Sequence, residues 1–94
     1  MALKILMLRK RLTDEEKNNA ALRAKLAPFA QREQELAQSI EAASTEEERS
    51  AVQAAVEAFE NERDAAQQAV TASDALISEL RGKIEAAERE QQAA

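Results

Sequence analysis

The stretch EAASTEEER, residues 41–49, decides how this chain folds. Ser44 with Glu47, or Thr45 with Glu48, spells a capping box, in which a hydroxyl and a carboxylate three residues apart satisfy the free N–H groups at a helix start. Glu46, Glu47 and Glu48 then fill the first turn, where negative charge suits the positive end of the helix dipole. One helix therefore stops near Ala43 and another starts near Glu46. A connection this short forces the two to lie antiparallel.

Both flanks carry an unbroken heptad. Upstream, alternating steps of three and four residues run through Met1, Ile5, Leu8, Leu12, Glu15, Asn19, Leu22, Leu26, Phe29, Glu33, Leu36, Ile40 and Ala43. Downstream they run through Arg49, Val52, Val56, Phe59, Arg63, Ala66, Val70, Ser73, Ile77, Leu80, Ile84 and Ala87. Such spacing draws one apolar stripe along a helix, the seam of a coiled coil. Folding at residues 44–45 pairs positions whose numbers add to 92. Leu22 then meets Val70, Leu36 meets Val56 and Ile40 meets Val52. The polar seam residue Asn19 falls opposite Ser73. A buried polar pair of that kind costs stability and fixes register.

The expected fold is thus all-α. It is an antiparallel two-helix coiled-coil hairpin forming a single domain over residues 1–94, with helix one at about 2–43 and helix two at about 46–91. Pro28 lies inside the first helix, where it removes one backbone donor and crowds the preceding turn. A kink is expected there, because the heptad runs on undisturbed, and a true break is the alternative. The run VTASD, residues 70–74, holds poor helix formers, so a break near Ser73 is the alternative for helix two.

Charge follows the same division. Residues 1–44 carry eight basic and six acidic side chains, and residues 45–94 carry five basic and twelve acidic. Lys4, Arg9, Lys10 and Arg11 crowd a helix N-terminus, and Glu85, Glu88 and Glu90 crowd a C-terminus, both unfavourable for the dipole. In a hairpin the two ends neutralise each other. Lys4–Glu90 and Arg32–Glu62 are expected to attract, and Arg11–Lys83 and Glu16–Asp74 to repel.

Composition narrows the function. The chain has no His, no Cys, one Gly and two Phe in 94 residues. It therefore lacks the commonest general base and metal ligand, any thiolate nucleophile and any Gly-rich phosphate loop. No catalytic, cofactor-binding or metal-binding residue is expected, and the chain reads as a non-enzyme. The opening MALKILMLRKRL places its apolar run before its basic cluster, the reverse of a signal peptide. That run is far short of the ~20 residues that span a bilayer. A lone Arg-Lys-Arg in a chain of net charge −5 is a poor footprint for nucleic acid. No nucleic-acid or membrane partner is expected.

Self-association is expected instead. A small scaffold needs a staple, and without Cys or His the remaining route is oligomerisation. Leu3, Leu6 and Met7 cluster off the seam and are read as contacts with another chain. Leu26, Phe29 and Phe59 are read as needing a second chain for full burial.

Three stretches resemble a known family. MALKILMLRK at residues 1–10, LRAKLAPFAQREQELAQSIEAA at 22–43 and STEEERSAVQAAVEAFE at 44–60 look like the N-terminal region of tailed-phage major capsid proteins of the Hong Kong ninety-seven fold. The likeness extends to about Glu90. In that family a helical delta domain acts as a built-in scaffold inside the procapsid, and in many members a prohead protease removes it. The resemblance implies an excised or separately made scaffolding segment. Its partners would be itself, the capsid subunit and a prohead protease, and its location the procapsid interior in the host cytoplasm. Pro28 departs from the uninterrupted helix expected of a delta domain. A generic coiled-coil adaptor, pairing its seam with a different protein, is the alternative reading.

Overall fold

The computed structural model describes residues 2–93, with side-chain surroundings given from Leu3 onward. Met1, the first expected seam position, lies outside the described residues. The described chain is 92% helix and has no strands. In coarse outline it is two helical stretches, the first with a bend. Element by element these are α1 (Ala2–Ala24), α2 (Phe29–Ala42) and α3 (Glu46–Ala93).

The capping box is used in one of its two spellings. Thr45 is the cap: the Glu48 N–H donates to Thr45 Oγ1 at 3.1 Å. The Glu48 carboxylate reaches back and accepts the Ser44 N–H at 3.1 Å. The upstream helix closes with the Ala43 N–H on the Ser39 carbonyl at 3.0 Å, and Ala43 itself is extended. Two otherwise unpaired groups of the α3 start are satisfied this way, which explains why the chain restarts where it does.

Pro28 does more than kink a continuous helix. The α-helical ladder stops at Ala24 and resumes at Phe29. Across the gap the bonds are one residue tighter, Ala27 N–H to Ala24 O at 3.3 Å and Phe29 N–H to Leu26 O at 3.1 Å. Pro28 keeps right-handed helical dihedrals, φ −70° and ψ −15°. Lacking an N–H, it cannot bond Ala24, so the chain adopts i→i−3 turns there instead. No break occurs near Ser73: α3 runs straight through residues 71–74.

The chain divides into two compact units, Met1–Arg23 with Ala69–Ala94, and Ala24–Gln68. In the first, Ile5, Val70, Leu80 and Ala87 are buried, Leu80 most completely at 1% exposure. Leu8, Leu12, Leu22, Ile77 and Ile84 are half-buried beside them. Arg9 pairs with Glu88 at 3.0 Å, so the basic N-terminal cluster does meet acidic charge near the chain's other end. The expected Lys4–Glu90 pair is not formed. Glu16 and Asp74, expected to repel, line one shared concavity, and each has a cationic partner, Arg81 and Arg23.

In the second unit Phe59 is buried, and Leu26, Phe29, Arg32, Leu36, Val52, Val56, Arg63 and Ala66 are half-buried. Here the upstream seam departs from the heptad. Arg32 turns inward in place of Glu33, and Ile40 is 55% exposed. The departure is local: Phe29, Leu36 and Ala43 keep their heptad places and are half-buried, so the inward face of α2 as a whole stays in register.

Candidate interaction surfaces

Neither unit contains a cluster of His, Cys, Asp or Glu able to hold a metal ion among the described residues. No described helix is long and apolar enough to cross a membrane. What the fold displays is a polar layer, an aromatic layer and two exposed apolar surfaces.

The polar layer lies in the first unit. Asn19 and Ser73, expected opposite each other, are hydrogen-bonded, Asn19 Nδ2 donating to Ser73 Oγ at 3.2 Å. The layer is wider than that pair. Ser73 Oγ donates to Glu15 Oε2 at 2.5 Å. Asn19 Nδ2 also donates to Asp74 Oδ1 at 2.8 Å, and Arg23 Nε donates to Asn19 Oδ1 at 2.8 Å. Arg23 then grips both Asp74 oxygens at 2.8 and 2.9 Å. The hydrogen bond from Ser73, joined by one from Asn18, holds the Glu15 carboxyl below its ordinary value. Arg23, with Asn19, does the same for Asp74. Among the described residues no buried side-chain polar atom lacks a partner. A polar layer satisfied throughout avoids the cost of desolvating unpaired groups.

The aromatic layer lies in the second unit and corrects one expectation. Phe59 is only 4% exposed, so it needs no second chain to cover it. Its ring meets Phe29 edge-on, centroids 5.7 Å apart at 63°. The Arg32 guanidinium sits 5.1 Å from the Phe29 ring and 5.3 Å from that of Phe59, and Arg63 lies 5.5 Å from Phe59. Arg32 is anchored in turn by Glu62 at 2.9 Å, the attractive pair expected from sequence. That hydrogen bond lowers the Glu62 pKa and raises that of Arg32. Long arginine stems thus finish the cover that two helices alone leave open. Leu26 and Phe29 remain half-buried.

The exposed apolar surfaces account for every large apolar side chain exposed among the described residues. On α1, Leu3, Leu6 and Met7 are 68%, 57% and 70% exposed. They form a shallow apolar concavity with Lys10 and Arg11 at its edge. The remaining exposed residue is Ile40 in the second unit. It opens a groove of about 420 Å³ lined by Ala43, Val52 and Val56 and by the polar Arg49, Gln53, Glu57 and Glu60.

The first surface was legible as three apolar residues off the seam. The groove was not, because Ile40 sits at a seam position, where burial was expected. The arginine cover and the Glu15–Asp74–Arg23 extension of the polar layer were also missed. Glu15 and Arg63 stand at seam positions of the heptad, but nothing beyond ordinary surface charge marks Arg32, Arg23 or Asp74.

No protein-family model, curated protein or solved structure matches the chain.

Proposed function

We propose that this chain is a non-enzymatic scaffolding segment, an antiparallel helical hairpin that works by associating with further copies of itself. The observation that carries the reading is the face of Leu3, Leu6 and Met7, three large apolar side chains left to solvent at helical spacing. Clusters of that kind mark protein contacts rather than ordinary surface. The hairpin is supported by the contacts inside the first unit, where residues 9, 16 and 19 meet 88, 81 and 73 in descending order. It is also supported by the short cap between α2 and α3. The buried core is slight, five apolar residues and Ser73 among those described. A core so thin suits a piece that gains stability by assembling.

The resemblance to capsid-protein delta domains, which extends to about Glu90, makes the role more specific. The segment directs assembly of a phage major capsid protein from the procapsid interior, in the host cytoplasm, and is then removed by a prohead protease. Its partners are its own copies and the capsid subunit. Assembly of that kind calls for contacts that are weak, repeated and reversible. Association entropy offsets much of what a few buried side chains contribute, which keeps such contacts weak.

Sedimentation velocity across the micromolar range tests the reading. The expected result is a mass that rises with concentration above the 10.3 kDa of one chain. A monomer at every concentration would refute self-association and leave the adaptor reading in its place. Expression of the capsid subunit with and without this segment tests the narrower role. Closed particles of equal yield without it would overturn that role.

A further inference from the structure

We propose that copies of this chain join head to tail, the Leu3–Leu6–Met7 face of one copy docking into the Ile40 groove of the next. The inference rests on the self-associating reading above and adds the surfaces and the geometry. The four large apolar side chains exposed among the described residues divide between these two places, three on the α1 face and one at the groove. Leu3, Leu6, Met7 and Lys10 stand at i, i+3, i+4 and i+7, the spacing by which one face of a helix lies in an apolar groove. The groove supplies the recess: Ile40 and Ala43 on one wall, Val52 and Val56 on the other. Its α3 wall, Arg49 to Glu60, spans ~16 Å of helix and Leu3 to Lys10 spans ~10 Å, so the face fits within the length of the groove.

Charge selects this pairing over two like surfaces meeting. The α1 face is edged by Lys10 and Arg11. Lys10 is shared with Asp14 at 3.2 Å, and Arg11 forms no ion pair among the described residues. The groove is edged by Glu57 and Glu60, with Arg49 as its one basic group. Two α1 faces would bring four cations together. A face on a groove sets Lys10 and Arg11 against two carboxylates, and complementary rims of this kind fix register and partner. A contact between two different surfaces is heterologous, so each copy keeps one free donor face and one free groove. Growth then continues until curvature closes a ring or subunits run out, which is how a scaffold extends with a single weak contact.

The test uses two variants that each lose one surface and keep the fold. Leu3→Ser with Leu6→Ser disables the face, and Ile40→Ser with Glu60→Lys disables the groove. All four residues are exposed, so circular dichroism should report unchanged helix. By sedimentation, wild type should pass beyond the dimer with rising concentration, and each variant alone should lose at least tenfold in association constant. An equimolar mixture of the two variants should form a one-to-one heterodimer and stop there, because one intact face meets one intact groove. Wild type that associates while the groove variant behaves identically would overturn the head-to-tail contact and leave self-association standing. A mixture that stays monomeric would also overturn it. Wild type that never associates would refute both.

Discussion

Replacing Phe59 separates burial within one chain from burial between chains. The ring is almost fully enclosed, and truncation of such a side chain to Ala costs about 3–5 kcal/mol. Phe59→Leu keeps most of the apolar volume and loses the aromatic contributions alone. These are the edge-on contact with Phe29, about 0.5–1.5 kcal/mol, and the guanidinium groups of Arg32 and Arg63, about 0.5–1 kcal/mol each. The leucine variant should therefore lose about 1.5–3.5 kcal/mol. Against a total of about 5–14 kcal/mol for a chain of this length, the alanine variant is near the limit of folding.

Urea unfolding followed by far-ultraviolet circular dichroism reads both losses as midpoint shifts at constant slope. A cycle with Phe29→Leu should give a coupling of about 0.5–1.5 kcal/mol, since the rings touch. The losses should not depend on protein concentration, because the partners of Phe59 belong to its own chain. A cost that fades on dilution would mean that a second chain covers Phe59. Additive single losses would mean that the ring pair contributes nothing.

Three further outcomes are expected. Glu15, Glu62 and Asp74 all have folded pKa values depressed by hydrogen bonds; their stabilisation is present above the ordinary carboxylate value and lost as pH falls through the depressed one. The urea midpoint should hold at neutral pH and drop in that acid window, and Asp74→Asn with Glu62→Gln should flatten the drop. Ser73→Ala should raise the Glu15 pKa, read by NMR titration, more than Asn18→Ala does, because Ser73 is the stronger of its two donors. Leu22→Cys with Val70→Cys should form a disulfide within one chain on mild oxidation, whereas coupling of residue 22 to 56 or 84 would contradict the pairing of Asn19 with Ser73.

What was legible in the sequence is what a period alone determines. On α3 every expected seam position from Val52 to Ala87 is buried or half-buried. That helix has no Pro, and Thr71 to Asp74 do not interrupt it, because Ser73 and Asp74 spend their hydrogen bonds across the layer instead of on their own backbone. The cap was legible because its two partners lie three residues apart. Contacts made by long flexible side chains were not. Arg32 reads as a surface cation in any heptad, and that it covers two phenylalanines depends on which way α2 is turned. The expected repulsion of Glu16 and Asp74 is offset for a related reason, since Arg81 and Arg23 reach across to them.

The turn at Pro28 links the fold to the groove, and one substitution tests that link. Pro28→Ala supplies the missing N–H and removes the ring from the preceding turn, a gain of up to about 3 kcal/mol. Greater freedom of the unfolded chain takes back about 0.4–1 kcal/mol. The net gain should be about 2 kcal/mol. With residues 25–28 helical, Glu33 should replace Arg32 on the seam and Ile40 should turn inward against Val52, while Phe29 and Leu36 keep the heptad places they already hold. Ile40→Ser reports on that movement. In the natural sequence Ile40 is exposed, and a surface change should stay within about 0.5 kcal/mol. In the Pro28→Ala chain the same change should cost more than about 1 kcal/mol, because a buried aliphatic side chain is worth about 1.5–3 kcal/mol. The variant should also associate less, since its groove is filled by its own isoleucine. An equal cost of Ile40→Ser in both backgrounds would refute the link between the turn and the groove. The proline would then be a local fault in α1–α2, and the exposure of Ile40 would need another cause.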